Sequence, residues 1–338
     1  MELNEIVLQF DMDSSGLKIE PLHGGLINTT WMVTASRGKY ILQKINENIF
    51  DPLQLEHNLR IITDHLSHHH PGYKTIEPIL AGDRLIVQKA EGSFRMFEFV
   101  PSSHTHNVVE SPALAFEAAR QFVSFTNNLA TLPPGNLQIT ITRFHDLLFR
   151  YGQFNEACSN RNLLRIKEAS ETITGARQYV SILQTFNELT AKGFLKKRIM
   201  HHDTKISNVL FDEQGKGLCV IDLDTVMPGY FISDVGDMIR TYVSPVSEEE
   251  KDMTKIEVRA DYLAAIREGY FGMDSKSDPR ERDYFLFAGK FMTWMQALRF
   301  LTDHLNNDVY YGAAYEGHNL VRAVNQLTLL DRLREVTL

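Results

Sequence analysis

The sequence predicts an α+β protein of two lobes, a small antiparallel β-sheet lobe over residues 1–100 and a large, mainly helical lobe over 101–338. Three observations carry this. The 338 residues are roughly twice an average domain of about 150 residues. The first hundred hold short β-branched and aromatic runs separated by turn signals. After Pro101-Ser102-Ser103 the apolar residues recur at helical spacing.

Strands are expected at Leu17–Leu22, Trp31–Ala35, Lys39–Lys44, Arg84–Lys89 and Phe94–Val100. Gly24-Gly25, Ser36-Arg37-Gly38 and Glu91-Gly92 supply turns between them. One helix, Pro52–His68, interrupts the strands, because Leu55, Leu59, Ile62 and Leu66 share a face at spacings of 4, 3 and 4. In the second lobe helices are expected over Ala113–Leu129, Leu163–Lys192, Val258–Tyr270 and Phe285–Leu305. The most apolar stretch, Tyr284–Leu301, is broken by Lys290, Gln296 and Arg299, and falls short of the roughly 20 unbroken apolar residues of a membrane span. It reads as a core helix. A cleft between two such lobes is the default place for a ligand.

Hydrophobic residues make up 43% and charged residues 23%, which excludes disordered and fibrous classes. The net charge of −8 opposes attraction to nucleic acid or anionic lipid, and no obligate protein partner is evident. Cys158 and Cys219 lie far apart without a Cys-x-x-Cys pattern, so neither a disulfide framework nor a cysteine zinc site is expected. The start Met-Glu-Leu-Asn-Glu lacks the basic and apolar regions of a signal peptide, and a cytoplasmic location is the expectation.

The chemistry concentrates in His201-His202-Asp203-Thr204-Lys205-Ile-Ser-Asn208, followed by Leu218-Cys-Val-Ile-Asp222-Leu-Asp224. Asp203 and Asn208 leave a loop five residues apart, and Asp222 follows 14 residues later at the end of an apolar run. That run predicts a buried strand, with Glu213–Gly217 as a hairpin turn, bringing Asn208 and Asp222 to one end. An amide and a carboxylate oxygen suit Mg²⁺, which takes further ligands from water and substrate phosphates. Asp203 is then the carboxylate placed to accept a proton. The spacing His-x-Asp-x-Lys-x-x-Asn matches the catalytic loop of protein kinases, which sets Lys205 near a transferred phosphoryl group. A solvated polar loop explains a lone Asp, but explains role-matched residues at this spacing poorly. Asp222-Leu-Asp224 stands where a protein kinase has Asp-Phe-Gly, and Ala-Pro-Glu is absent, so a small-molecule kinase is favoured. His23-Gly24-Gly25-Leu26-Ile27-Asn28-Thr29-Thr30 sits between two expected strands. Its glycines permit close approach of backbone to phosphates, and Asn28, Thr29 and Thr30 carry donors.

With these motifs the chain resembles the aminoglycoside phosphotransferase and choline kinase superfamily, and within it the bacterial N-acetylhexosamine 1-kinases. The resemblance runs through Leu26–Thr30, Lys39–Gln43, Asp203–Lys205, Ile221–Thr225 with Met227-Pro-Gly229, Asp234–Arg240, Arg299-Phe-Leu and Gly317–Arg322. It implies the two-lobed protein-kinase-like fold, Asp203 as base, and Mg²⁺ on Asn208 and Asp222. It also implies ATP between the lobes, touching the glycine-rich segment, Gln43 and the backbone of Phe97, Glu98, Phe99 and Val100. The acceptor it implies is a hexose, phosphorylated at its anomeric hydroxyl beside Asp203, with Arg299 and Tyr310 lining the sugar pocket. Apart from the resemblance, Arg299 lies at the edge of an apolar helix face, where a guanidinium needs an acceptor and an ordinary salt bridge is the plain alternative. Tyr310 alone reads as core packing.

The chain departs from that subgroup at Leu26, where the relatives have His, and at Thr241, where they have an aromatic ring. Many kinase-like enzymes place a lysine at the position of Gln43. Glu56 is a free helical glutamate or the partner of a lysine. Asp11-Met-Asp13-Ser-Ser15-Gly16 begins like a calcium loop, but Leu22 takes the place of the closing Glu. His65, His68, His69 and His70 precede Pro71-Gly72 without completing a zinc site. His201 is expected to brace the loop rather than act as a base. The alternatives are a kinase for another sugar, an amino alcohol or an aminoglycoside, and a nucleotide-binding protein without catalysis.

Overall fold

The computed structural model describes residues 3–22, 27–159, 162–272 and 278–337. In chain order the elements are Leu3–Val7 (α1), Lys18–Leu22 (β1), Thr29–Ala35 (β2), Gly38–Lys44 (β3), Pro52–His69 (α2), Ile86–Lys89 (β4), Gly92–Glu98 (β5), Pro112–Asn128 (α3), Leu147–Cys158 (α4), Leu163–Glu168 (α5), Ser170–Arg177 (α6), Ser181–Ala191 (α7), Arg198–Met200 (β6), Val209–Phe211 (β7), Gly217–Val220 (β8), Met227–Gly229 (β9), Phe231–Tyr242 (α8), Ala260–Phe271 (α9), Phe285–Leu305 (α10) and His318–Glu335 (α11). The chain is α+β, with a small antiparallel sheet and a mainly helical remainder. Among the described residues no helix is long and apolar enough to cross a membrane.

Internal contacts divide the chain into two compact units. The first comprises Met1–Thr105, Asn128–Thr142 and Asn208–Pro228, and the second His106–Asn127, Arg143–Ser207 and Gly229–Leu338.

In the first unit, strands β1 to β5 form one antiparallel sheet in the order β1-β2-β3-β5-β4. Side chains alternate along each strand. Val33, Tyr40, Leu42, Phe94 and Met96 therefore bury one face against Ile6, Val7 and Phe10. The alternate residues Gln43 and Arg95 are direct partners in the β3–β5 register, on the opposite face. Helix α2 starts where Asp51 accepts the Leu53 N–H at 2.9 Å and Pro52 opens the first turn. Its buried Asn58 explains why later segments join this unit. The amide donates to the Gln138 and Val226 carbonyls at 2.9 and 3.3 Å and accepts the Gln138 N–H at 2.7 Å. Strands β7 and β8 form the expected hairpin, with Val209 opposite Val220. The hairpin is anchored by reciprocal backbone hydrogen bonds between Phe211 and His104.

In the second unit, α8 and α10 pack at close range. A Cβ on Gly289 would stand 2.7 Å from the Ile239 side chain, and one on Gly236 would collide with the Ala288 carbonyl. Helix α10 spans the interval expected for it. The helix expected over Leu163–Lys192 is instead three, α5 to α7. The reason for the second break is visible: the Ala176 carbonyl accepts the Trp294 indole N–H at 2.9 Å, and the backbone turns tightly through Gln178–Val180.

Candidate active site

The second unit holds the loop that carries Asp203 and Lys205, and helix α8 fixes its backbone. Asp234, fully buried, accepts the His201 and His202 N–H groups at 3.0 and 2.8 Å. Asp237 accepts the Thr204 N–H at 2.9 Å, and the Thr204 hydroxyl donates to the Asp234 carbonyl at 2.8 Å. The Tyr242 hydroxyl donates to the Thr204 carbonyl at 2.5 Å. The His201 ring accepts the Asp203 N–H at 3.3 Å and packs edge-on against Phe122, which is the bracing expected of it. His202 has φ 67°, a left-handed conformation that is uncommon outside glycine and persists here under Asp234's hold. Lys205 pairs with Asp203 at 3.1 Å.

Burial dominates the electrostatics of the two carboxylates on this helix. It pushes the Asp234 carboxyl up to about 7, against the two loop N–H groups. Asp237 is also raised by burial, against Arg240, which lies 2.9 Å away. Glu248 shows the opposite balance: burial raises it, but Arg240 and Arg322 together hold it below the usual carboxylate range.

The proposed sugar-pocket residues lie in this unit too. Arg299 reaches Gln296 at 3.1 Å and the Tyr310 hydroxyl at 3.3 Å, and its guanidinium faces the Phe144, Tyr310 and Tyr311 rings. It has no carboxylate partner among the described residues, so the salt-bridge alternative falls. Tyr310 is 63% exposed rather than core, because its N–H is drawn to Asp303 while its ring turns outward. Thr241 donates its hydroxyl to the Asp237 carbonyl within α8.

The first unit holds the other candidates. The Ile221 N–H donates to the Asn208 carbonyl at 2.9 Å, so Asn208 and Asp222 stand at the same end of the β7–β8 hairpin. Asp222 is held at φ 61° and ψ 64°, a left-handed conformation that is costly for a non-glycine residue and often marks functional turns. One amide and one carboxylate form a hard-oxygen donor pair that fits Mg²⁺. Thr29 and Thr30 lie in β2, opposite Lys44 and Gln43. Gly24, Gly25 and Leu26 lie outside the described residues. Phe97 is buried in β5, while the N–H of Glu98 donates to Glu77 and that of Phe99 to Lys39.

Asn28 does not stand alone. Its amide donates to Asp224 at 2.8 Å and accepts the Asn46 N–H at 3.1 Å. Asp224 is paired through both oxygens with Arg95, one contact at 2.9 Å and a shorter one beside it, and each side chain is only 3% exposed. Arg95 also donates to Gln43 at 3.0 Å. The cation beside the lysine-less position of β3 thus comes from the neighbouring strand. Glu56 pairs with Arg84, at 2.6 Å, and accepts the Leu85 N–H at 2.8 Å, so it is neither free nor held by a lysine.

The profile of the phosphotransferase enzyme family matches residues 18–277, more than three quarters of the chain. The chain belongs to that family. Solved structures of similar fold include the microcompartment-associated aminopropanol kinase, with 14% identity, a TM-score of 0.66, and coverage of 98% of this chain and 96% of that one. Spectinomycin phosphotransferase in complex with ADP and spectinomycin shows 12% identity, a TM-score of 0.60 and 99% coverage of both chains. Choline kinase from Streptococcus pneumoniae shows 13% identity, a TM-score of 0.55, and coverage of 96% and 99%. At such identities the likeness is one of fold, the kinase-like fold of the aminoglycoside phosphotransferases.

Three groups in this phosphotransferase escaped the sequence reading: Asp234 and Asp237 as holders of the loop, and the Arg95–Asp224 pair. The first two had a signal. Carboxylates three apart in an otherwise apolar run require buried donors. The Arg95–Asp224 pair spans 129 positions and had none.

Proposed function

We propose that this phosphotransferase transfers the γ-phosphoryl group of ATP to the anomeric hydroxyl of a hexose, in the class of N-acetylhexosamine 1-kinases. The observation that supports it most is the braced loop, which holds Asp203 and Lys205 together at 3.1 Å on a backbone fixed by three side chains of α8. The acceptor hydroxyl gives its proton to Asp203 as its oxygen bonds to the γ-phosphorus and the bond to the bridging oxygen breaks, releasing ADP. Lys205 releases Asp203 from its ion pair and offsets charge on the moving phosphoryl oxygens. Magnesium, when held by Asn208 and Asp222, supplies charge neutralisation on the nucleotide phosphates. For the nucleotide the proposed contacts are those the resemblance implies: the glycine-rich segment with Asn28, Thr29 and Thr30, position Gln43, and the backbone of Phe97, Glu98 and Phe99. For the sugar the proposed contacts are Arg299 and Tyr310, as the resemblance implies.

Amino alcohols and aminoglycosides are cations, for which acidic or aromatic pockets are expected, and an Arg299 without a carboxylate partner disfavours them. The test is a panel of sugars, amino alcohols and aminoglycosides with product NMR, separating a 1-phosphate from a 6-phosphate. Asp203→Asn is expected to lower kcat by about 10²–10⁴ on the best acceptor. Turnover within tenfold of the parent sinks the assignment of the base, and nucleotide binding without turnover on any acceptor sinks the enzyme reading.

A further inference from the structure

Among the described residues Arg299 is joined by a second cation without a carboxylate partner, Arg150. A pocket of about 110 Å³ in the second unit is lined by Arg150, Gln153, Arg299, Thr302, Tyr310 and Tyr311, with Asp303 and Asn306 at its wall. Arg150 donates to the Phe144 carbonyl and to Gln153, both neutral. Among the described residues Arg299 bonds to Gln296 and the Tyr310 hydroxyl, and its buried Nε has no hydrogen-bond partner. Asp303 does not neutralise either one by contact. Its oxygens accept the Tyr310 and Tyr311 N–H groups at 2.8 and 2.9 Å and the Asn319 amide at 3.1 Å. Two guanidiniums therefore share one pocket with neutral partners, an arrangement that leaves donor capacity and positive potential for an anion. Burial and then the Arg299 charge lower the Arg150 pKa, as expected of two cations brought close.

The pocket also connects to the loop that carries Asp203. Arg299 lies over the Phe144 ring at 5.2 Å, Phe144 stacks on His145 at 4.3 Å, and the His145 and His202 Nδ1 atoms are 3.2 Å apart. At about 110 Å³ it is well below the roughly 300–1,000 Å³ of whole-ligand pockets, so it suits one substituent of a larger acceptor.

We propose that Arg150 and Arg299 bind an anionic substituent of the acceptor sugar, a carboxylate as in a hexuronic acid or a phosphate monoester as in a hexose 6-phosphate. The inference rests on the reading of this region as the acceptor site. Within the hexose class proposed above, it makes an acidic derivative a better acceptor than its neutral parent.

The test compares kcat/KM, at saturating ATP and magnesium, for a neutral hexose, its N-acetylhexosamine, its hexuronic acid and its 6-phosphate, in the parent and in Arg150→Gln, Arg150→Lys and Arg299→Gln. One of the two acidic sugars is expected to exceed the neutral ones, and which of them leads identifies the anion. Arg150→Gln is expected to lower the acidic-to-neutral ratio by about 10- to 100-fold, mainly through KM, with Arg150→Lys restoring part of it. Thermal melts identify any variant that fails to fold, and Arg299→Gln then carries the comparison. Equal kcat/KM for acidic and neutral sugars, or an unchanged ratio in Arg150→Gln, overturns the proposal. Calorimetric titration with hexuronate and with inorganic phosphate separates this failure from that of the hexose reading. If no sugar is phosphorylated but an anion binds the parent and not Arg150→Gln, the pocket stands and the acceptor assignment falls; no anion binding in that case overturns the pocket as well.

Discussion

Arg95 and Asp224 are each 3% exposed and bonded through two guanidinium–carboxylate contacts, with Asn28 on the carboxylate and Gln43 on the guanidinium. Arg95→Met leaves Asp224 buried with one neutral donor, and Asp224→Leu leaves Arg95 buried with one neutral acceptor. Removing one partner of such a pair costs about 3–5 kcal/mol, because the remaining charge keeps its desolvation penalty and loses its attraction. The double variant carries no buried charge at this pair, and its cost is expected to be smaller than that of either single change. With about 2–4 °C lost per kcal/mol in units of this size, each single variant is expected to melt about 6–20 °C lower. The double variant recovers at least half of that loss. Calorimetry on the full chain reads the melting, and hydrogen exchange over β5 and 223–225 reports whether the loosening starts there. Single losses below about 1 kcal/mol, or single effects that simply add in the double variant, would refute the reasoning, since either result means the two charges do not depend on each other.

Asp234 gives a pH signature. Its carboxyl, near 3.9 in an unfolded chain, is pushed by burial up to about 7, so the native state holds the proton more tightly. Its contribution is complete below about pH 4 and is lost as pH rises through about 7, a span on the order of 4 kcal/mol. Urea denaturation should find the parent losing ground against Asp234→Asn over that range; a pH-independent difference between the two would count against it. Glu56 has the opposite sign. Burial raises its carboxyl, but the Arg84 guanidinium and the Leu85 N–H outweigh this and hold it below the usual range. Glu56→Gln should cost about 1 kcal/mol or less at pH 7, Arg84 being half exposed, with the gap to the parent closing as pH falls below about 4.5. Burial pushes the Cys219 thiol up to about 11 and raises Cys158 as well. Alkylation at pH 8 should therefore be at least about tenfold slower in the native protein than in urea, and equal rates would contradict the burial.

What the sequence made legible was whatever repeats locally. Helix α10 declared itself over Phe285–Leu305 because its apolar period is unbroken, and the strands of the sheet because β-branched runs end at turn residues. The loop around Asp203 stood out as a spacing, the order of proton acceptor, cation and metal ligands along the chain that the proposed phosphoryl transfer would use. Helix α8 was silent for the opposite reason. It is buried nearly all round, so Asp234 and Asp237 sit in an apolar run with no polar face to reveal a helix, and their partners are backbone N–H groups some 30 residues earlier. Arg95 shows the same limit in a strand. Between Phe94 and Met96 it looks like the outward residue of an ordinary alternation, yet that face is buried by Asp224. A period tells which side of an element a residue faces, and only the chain's return from 129 positions away decides whether water or a carboxylate waits there. The lysine missing at position 43 follows from the same pairing. With Arg95 directly across the β3–β5 register and already matched to Asp224, a second buried cation there would have no countercharge, and a neutral Gln43 that accepts from Arg95 satisfies the site.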